Sequence, residues 1–325
     1  MQIIILAIIT LIVSYPAQAA KNPKVQKIID KGITDLDSIK IRKGIKKLYI
    51  EENEILEINN FTIPSNLKKL SLNQNEIHTI NGLILGEKLQ YLNLFENNIS
   101  NFPEISFNEN LRTINLGFNN ISNLNGFDFT STKLKTIFLT LNSISSLNGL
   151  LLNNVVEILD LSDNDLVEVN EYVFPTSLKQ LSFARNDLSS FNGVNLFENL
   201  ETLSLKSNNI DDYSLITNIP NNLKTLGVGG LQDGRDFSTL VLPENLQVLV
   251  IGAAFYDDEE IASLFIPPNL KELDLSANSI SSLDDLSFPG SLRRLDLRRN
   301  PITKEERKKI RKRFKRENPK LKIKF

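Results

Sequence analysis

The chain has 325 residues, of which 41% are hydrophobic and 23% are charged, so it can bury a large core and is not disordered as a whole. It contains no Cys, which excludes disulfides, thiolate nucleophiles and zinc or iron–sulfur sites with Cys ligands. His78 is the single His, which excludes a multi-His metal site, and it is predicted to be an ordinary surface residue. We predict that the protein is not an enzyme and that it uses no cofactor or metal.

The first residues have the pattern of a secretory signal. An apolar run, Ile3–Val13, is followed by Pro16 and by the small-residue pattern that ends at Ala19. The run is too short to span a bilayer, which takes about 20 apolar residues. The pattern predicts a signal peptide, residues 1–19, that is cleaved after Ala19, with an uncleaved anchor as the alternative because a basic n-region is missing. We therefore expect a secreted or extracytoplasmic protein without an integral membrane segment after cleavage.

A repeat of 22 to 24 residues covers residues 45–302. Its clearest copy, LQYLNLFENNI, begins at Leu89 and carries Leu or Ile at positions one, four and six and Asn at position nine. The two copies that begin at Leu223 and Leu246 are degenerate. The twelve copies begin at Ile45, Leu67, Leu89, Leu111, Leu134, Val156, Leu178, Leu200, Leu223, Leu246, Leu270 and Leu292.

The alternating Leu residues at positions four and six predict one short strand with a single buried face in each copy. One such strand buries little surface, so a core forms only when the copies stack and their strands pair in a parallel sheet. The Asn at position nine can both donate and accept hydrogen bonds, and we expect it to bind backbone groups of its own and the neighbouring copy. This structural role is predicted for Asn75, Asn97, Asn119, Asn142, Asn164, Asn186, Asn208, Asn278 and Asn300.

The second half of each copy carries turn signals. Prolines such as Pro175 and Pro289 precede the next copy and disfavour long helices, so the outer side of the stack is predicted to be extended or 3₁₀. Turns with positive φ are predicted at Asn81-Gly82, Asn125-Gly126, Asn148-Gly149 and Asn192-Gly193.

The pattern L-x-x-L-x-L-x-x-N-x-L resembles the leucine-rich repeat, and its length of 22 residues is similar to that of bacterial secreted and surface members such as the internalins. The resemblance implies an α/β-type repeat solenoid, a horseshoe with a parallel sheet on the concave face, a mostly extended or 3₁₀ convex side and helical caps. It also implies recognition of a protein partner through the concave face, with host interaction as one setting. A bacterial source is expected because disulfide caps are excluded.

Residues 20–44 are predicted to be an N-terminal cap. Asn22 and Pro23 have the residue types of a helix start, and Gly32 has that of a helix end. The sequence therefore predicts a helix between them that covers the core of the first copy, because the ends of a repeat stack need caps.

Residues 303–325 are predicted to be a basic C-terminal cap. Thr303 and Glu306 have the spacing of a capping box, and Asn318 is followed by a proline that ends the helix. Ile310 and Phe314 lie one turn apart and are expected to face the last coil. Beyond the helix an edge strand is predicted from the alternation of Leu321, Ile323 and Phe325.

Positions three, five, seven and eight of each copy point away from the core and form the concave surface. In the four copies from Leu89 to Val156 these positions hold an apolar and aromatic cluster, with the composition of a protein-binding hot spot. The alternative is that some of these rings are buried. The predicted contacts are Tyr91, Phe95, Phe118, Phe138, Leu141 and Ile158.

Charge is distributed unevenly along the chain. From residue 293 to residue 325 there are 16 basic and 4 acidic residues, a net charge of +12 that leaves about −14 for the rest. Such a segment binds anionic lipid or polymer at an envelope, or forms the solvated face of the cap; nucleic acid is not expected for a secreted chain. The residues concerned are Arg307, Lys308, Lys309, Arg311, Lys312, Arg313, Lys315 and Arg316.

The degenerate copies interrupt the Asn pattern. Leu231 and Ala254 stand where Asn is expected, which predicts a looser or differently curved stack. The acidic run 257–260 follows, and we expect a solvated loop there because the spacing of a calcium-binding loop is missing.

Overall fold

The structure is a computed structural model that describes residues 24–58, 61–101, 107–210, 212, 214, 216, 219–229 and 237–325. Three features of the sequence lie outside these residues. They are the predicted signal peptide, residues 1–19, the start of the predicted N-terminal helix at Asn22 and Pro23, and the degenerate position Leu231.

Over the described residues, fourteen strands form one parallel sheet in which each strand pairs with its neighbours in chain order. Twelve of them, β2 to β13, fall one in each copy of the repeat, and β1 and β14 add one strand at each end. The strands are β1 Val25–Ile29, β2 Lys47–Glu51, β3 Lys69–Ser71, β4 Tyr91–Asn93, β5 Thr113–Asn115, β6 Thr136–Phe138, β7 Ile158–Asp160, β8 Gln180–Ser182, β9 Thr202–Ser204, β10 Thr225–Gly227, β11 Val248–Val250, β12 Glu272–Asp274, β13 Arg294–Asp296 and β14 Lys322–Lys324.

The strands pair in the register of the repeat, so equal positions of neighbouring copies lie side by side. Leu70 pairs with Leu92, and Leu92 pairs with Ile114. The Leu and Ile residues of positions one, four, six and eleven are buried in one core that extends from Leu36 to Phe314. The predicted solenoid with a parallel sheet is confirmed, and its core exists only because the copies stack.

The convex side is mostly extended, as predicted. The described helices outside the sheet are two short 3₁₀ segments, Leu36–Ser38 and Phe237–Thr239, and two α-helices, α1 Asp258–Ala262 and α2 Lys304–Glu317. The predicted positive-φ turns are confirmed, with φ between 74° and 91° at Gly82, Gly126, Gly149 and Gly193.

The prediction of an N-terminal helix is wrong over Val25–Ile29, which is the strand β1. This strand pairs with β2 from Val25 and Lys47 to Ile29 and Glu51. Val and Ile are β-branched and favour strands. A strand also satisfies the backbone groups at the edge of β2, whereas a helix leaves them unpaired. Gly32, with φ of 59°, turns the chain after the strand instead of ending a helix.

The C-terminal cap has the predicted helix and edge strand. The Thr303 hydroxyl accepts from the Glu306 N–H at 3.2 Å, which makes Thr303 the N-cap of α2. The Glu306 carboxylate lies 3.7 Å from the Lys309 Nζ instead of completing a capping box. Asn318 ends the helix, and its side chain donates to the Leu292 carbonyl at 2.9 Å.

The expected solvated loop at residues 257–260 is wrong, because these residues begin the helix α1. The Asp257 carboxylate accepts from the Glu259 and Glu260 N–H groups, each at 3.0 Å, and the Glu260 carboxylate accepts from the Asp257 N–H at 2.9 Å. Carboxylates stabilise a helix N-terminus, where backbone N–H groups lack partners. The acidic run is thus explained by helix capping.

Candidate functional site

The Asn residues of position nine form a ladder of hydrogen bonds inside the solenoid. The Asn97 amide donates to the Leu94 carbonyl at 3.1 Å and to the Leu72 carbonyl of the preceding copy at 3.0 Å, while its oxygen accepts from the Ile77 N–H at 3.1 Å. The other predicted Asn residues repeat this arrangement. The predicted structural role is confirmed, because these amides are occupied by backbone groups.

The ladder continues past the degenerate position Ala254. The Asn278 oxygen accepts from the N–H groups of both Ala254 and Tyr256, each at 3.2 Å. The strands β9 to β12 stay paired in register across this region. Asn278 thus keeps its usual ladder bonds and accepts one additional N–H, that of Ala254.

A left-handed residue stands at position eight of the repeat, directly before the Asn ladder. The φ of this residue lies between 54° and 61°. It is not Gly in any copy for which the structure describes it. This left-handed turn was not predicted from the sequence. The turn is held by bonds to the next copy, such as Phe118 N–H to the Thr140 carbonyl at 2.8 Å. The residues are Glu52, Gln74, Glu96, Phe118, Leu141, Asp163, Arg185, Ser207, Ala253, Ala277 and Arg299.

This turn places two of the predicted contact residues in solvent. Phe118 is 48% exposed and Leu141 is 41% exposed. The Phe118 ring stacks beside the half-buried Phe95 ring, with 6.0 Å between centroids and 25° between planes. We call Phe95, Phe118 and Leu141 the apolar patch.

A groove of about 400 Å³ runs beside the apolar patch, along the edge where the strands end. Glu96 and Asp163 lie on either side of Phe118 and Leu141, and Asn side chains line the rest. This groove was not predicted from the sequence, although the carboxylates at the same repeat position as Phe118 and Leu141 were a usable signal. The lining residues are Asn75, Glu96, Asn97, Asn98, Phe118, Asn119, Asn120, Leu141, Asn142 and Asp163.

Phe138 does not share this exposure. It is 8% exposed, which corrects the expectation that it is a surface residue of the concave face. Position five ends the strand, where Phe138 lies between its partners Asn115 and Asp160 of the two flanking strands, whose side chains cover it. Asn115 is buried at the same position for the same reason. Ile158 lies at the strand start and is half-buried.

Tyr91 belongs to a different cluster at the N-terminal end of the concave face. Two lysines alternate with two tyrosine rings there: Lys27 Nζ lies 5.5 Å from the Tyr49 centroid, and Lys69 Nζ lies 5.4 Å from Tyr49 and 3.8 Å from Tyr91. Burial is the main cause that lowers the pKa of Lys69. This end of the face is therefore cationic, in contrast to the groove.

A buried carboxylate lies at the centre of the concave face. Asp160 is 7% exposed, and its Oδ1 accepts from the Ser162 N–H at 3.0 Å and from the Ser162 hydroxyl at 2.6 Å. Burial is the main cause that raises the pKa of Asp160. Asp296 holds the same repeat position and pairs with Arg298 at 2.6 Å. The cation near Asp160 is Arg185, and it pairs with Asp163 instead. Within the described chain, Asp160 forms no salt bridge.

The eight basic residues predicted to form an anionic-surface site divide into two groups. Three hold α2 to the solenoid: Arg307 donates to the Ile302 carbonyl at 3.1 Å, Lys309 pairs with Asp284, and Arg313 donates to backbone carbonyls. The other five are exposed, and they are Lys308, Arg311, Lys312, Lys315 and Arg316.

The described residues hold neither a cluster of metal-binding side chains nor a membrane-spanning helix. They hold no group of three or more His, Asp or Glu side chains placed to bind a metal ion. They also contain no helix that is both long and apolar enough to cross a bilayer. His78 is exposed, as predicted.

The parallel solenoid, its repeat and its Asn ladder are those of the leucine-rich-repeat fold. A family model described as a BspA type leucine-rich repeat region of 6 copies matches residues 213–298, and one described as a leucine-rich repeat matches residues 107–124. No curated protein sequence matches the chain.

Several solved structures are similar in fold. An internalin, InlF from Listeria monocytogenes, has a TM-score of 0.60 at 24% identity, over 86% of this chain and 80% of the internalin. TLR13 in complex with single-stranded RNA has a TM-score of 0.55 at 19% identity, over 86% and 50%. A chain of the octameric complex of Latrophilin 3, Unc5D and the leucine-rich-repeat protein FLRT2 has a TM-score of 0.54 at 21% identity, over 90% and 87%. At these identities the likeness shows the fold alone.

Proposed function

We propose that this chain is a secreted or surface-exposed recognition module that binds a partner protein on its concave face. The proposed partner is a protein of a host cell surface. The observation that carries the proposal is the exposure of Phe118 and Leu141, which a left-handed turn holds in solvent beside the Phe95 ring. Apolar side chains in this setting, with polar residues around them, are the surface that a protein interface buries. The proposal assigns no catalysis to the chain.

The fold alone does not decide whether the partner is a protein or a nucleic acid, but the chemistry of the site favours one of them. Similar solenoids are found in a complex with proteins and in a complex with RNA. The groove beside the apolar patch carries two carboxylates, of which Asp163 is paired with Arg185 and Glu96 forms no salt bridge among the described residues. The unpaired carboxylate of Glu96 repels a phosphate backbone. An apolar and acidic surface fits a protein segment better than it fits RNA.

The charges around the apolar patch favour a partner segment that carries Lys or Arg beside an apolar residue. Asp160 is a buried carboxylate without a salt bridge, and a cation from the partner offsets the cost of its desolvation. The exposed ring of Phe118 attracts a cation as well. Glu96 lies in the same groove and adds a second negative charge.

The experiment is a capture assay with the chain from residue 20 onward and extracts of host-cell surface proteins, performed at high salt. The variant Phe118→Ala with Leu141→Ala removes the exposed part of the patch. A matched control, Val173→Ala with Phe265→Ala, removes two exposed apolar side chains that lie outside the concave strands. Both variants are expected to keep the thermal midpoint of the unchanged chain within a few degrees.

The expected result is that the first variant loses a captured protein that the control variant retains. A photo-crosslinking residue at position 118 is then expected to label that same protein directly. Equal capture by the two variants contradicts the proposal, because it shows that the apolar patch makes no contact with the partner.

A further inference from the structure

The C-terminal helix α2 is fixed to the solenoid by one face. Ile310 and Phe314 are buried against the last coils, and the Phe314 ring lies 5.2 Å from that of Phe288. The Arg313 guanidinium donates to the carbonyls of Leu283 and Leu286 at 2.7 and 2.6 Å. Because these contacts span the middle of the helix, its opposite face is held outward.

The outward face carries five exposed cations at the spacing of a single helix stripe. Acidic neighbours neutralise it only at one end: Glu317 pairs with Arg313 at 3.0 Å and with Arg316 at 3.8 Å, and Glu306 pairs with Lys309, outside the face. In the part of the chain that the structure describes, Lys308, Lys312 and Lys315 form no ion pair. The five cations, which we call the basic face, are Lys308, Arg311, Lys312, Lys315 and Arg316.

The last strand extends the basic face. Arg311 lies over the Phe325 ring at 5.1 Å, and Arg307 lies over the same ring at 5.5 Å, so the end of β14 is in contact with the helix. The segment that joins α2 to β14 and the strand itself add three exposed lysines, Lys320, Lys322 and Lys324.

Folding alone does not account for the basic face. Like charges four residues apart, such as Lys308 and Lys312, destabilise a helix. Cations near the C-terminus of a helix are favoured by its dipole, which explains Lys315 and Arg316 but not the three residues nearer the middle. The hydrogen bonds that dock the helix use other residues. The basic face therefore raises the free energy of the folded chain unless an anion binds it.

We propose that the basic face binds the anionic headgroups of a lipid membrane and so holds the solenoid at a surface. A flat array of headgroups contacts all the cations of a straight helix stripe at the same time. The face exposes no aromatic ring for base stacking, since Phe314 is buried and Phe325 lies under two arginines, which disfavours single-stranded nucleic acid. It also lacks the apolar side chains that insert into a bilayer, so the attachment is electrostatic and reversible by salt.

The test is vesicle co-sedimentation of the chain from residue 20 onward with phosphatidylcholine vesicles that contain or lack phosphatidylglycerol, at low and high salt. The variant Lys308→Gln with Lys312→Gln and Lys315→Gln removes three charges from the basic face. A matched control, Lys31→Gln with Lys43→Gln and Lys46→Gln, removes three exposed charges at the other end of the solenoid. Thermal unfolding of both variants verifies that they are folded.

We expect the unchanged chain and the control to bind only the vesicles with phosphatidylglycerol, and to be released by high salt. The helix variant is expected to bind these vesicles at least about tenfold more weakly than the unchanged chain does. The patch variant Phe118→Ala with Leu141→Ala is expected to bind vesicles normally, since the two surfaces are separate. Equal binding by the two triple-lysine variants, or no binding by the unchanged chain, overturns the proposal. Tighter binding to a duplex DNA competitor through the same lysines overturns it as well and assigns the face to nucleic acid.

Discussion

A β-carbon at Gly117 would lie 3.1 Å from the ring of Phe95, so the absence of a side chain at position 117 is what lets this ring lie across the neighbouring copy. The same β-carbon would lie 3.0 Å from the Thr140 methyl group. Gly117 thereby sets the place at which Phe95 meets Phe118, although Gly117 itself presents nothing to a partner.

We therefore expect Gly117→Ala to displace the Phe95 ring and to weaken partner capture. The crowding should lower the free energy of unfolding by about 1 kcal/mol. Chemical denaturation and the capture assay check the two effects. Gly290→Ala is the matched control, because its β-carbon meets nothing within 4 Å, and it should change neither quantity. Normal capture by a Gly117→Ala chain would show that the position of the Phe95 ring does not matter for binding.

Asp160→Asn is expected to stabilise the protein at neutral pH. Burial raises the pKa of this carboxyl, so the folded state binds its proton more tightly than the unfolded state does. The stability that the group contributes is present below its ordinary pKa of about 4 and falls as the pH rises to the raised value. Asn cannot ionise, and it retains the hydrogen bond, since Asn115 accepts from the Gly117 N–H at 3.0 Å at the same repeat position.

The measurement is the difference in thermal midpoint between Asp160→Asn and the unchanged chain across pH. The difference should be positive at neutral pH and shrink toward acidic pH. If the proposed partner chemistry is right, the same variant should lose affinity for a segment that carries Lys or Arg. A variant that is less stable at neutral pH would contradict the view that Asp160 lacks a compensating cation.

Asn119→Ala is expected to lower the free energy of unfolding by about 3 kcal/mol. The substitution leaves the buried N–H of Ile99 without a partner. It also removes one of the two Asn amides that donate to each of the carbonyls of Leu94 and Leu116. The adjacent Asn120 is exposed and serves as the matched control, with an expected effect below about 0.5 kcal/mol for Asn120→Ala. Denaturation by urea compares the two variants. Similar losses in both would argue against the ladder as a source of stability.

The predicted signal peptide implies a specific N-terminus for the exported protein. Expression of the full chain in a bacterial host should yield an extracytoplasmic protein whose first residue is Ala20. Intact-mass measurement of the exported fraction checks this, and Ala17→Leu with Ala19→Leu should block cleavage. An exported chain that begins at Met1 would instead support an uncleaved anchor.

Much of the fold follows from side-chain periodicity. Each copy repeats the same Leu positions, so the strand of every copy and the Asn ladder are determined by local signals that recur along the chain. The C-terminal helix was predicted for the same kind of reason, since Ile310 and Phe314 lie one turn apart and are buried. These predictions succeed because stacking copies need no long-range information beyond their neighbours.

The N-terminal cap was not predictable from local signals. Asn22, Pro23 and Gly32 suit a helix, but they suit turns around a strand equally well. The unpaired edge of β2 decides between the two, and this is a tertiary effect. The acidic run at residues 257–260 was mistaken for a loop because its capping bonds depend on the backbone that follows.

The candidate site was predicted in part. Phe118 and Leu141 are exposed as expected, whereas Phe138 is buried because side chains of the two flanking strands cover it. The repeat predicts which strand positions point away from the core. It does not predict how much of each such side chain the neighbouring strands cover. The groove beside Glu96 was missed because it depends on the turn geometry of several copies together.

The left-handed turn at position eight has a consequence for how the surface can change. In this one chain, position eight holds acids, an amide, an aromatic ring, aliphatic side chains, a hydroxyl and guanidinium groups at nearly the same φ. The backbone there is set by bonds to the next copy, so the side chain is not constrained by the core. Each coil thus offers one site for mutation that does not endanger folding, and selection for a new partner can act on a row of such sites while the scaffold stays the same.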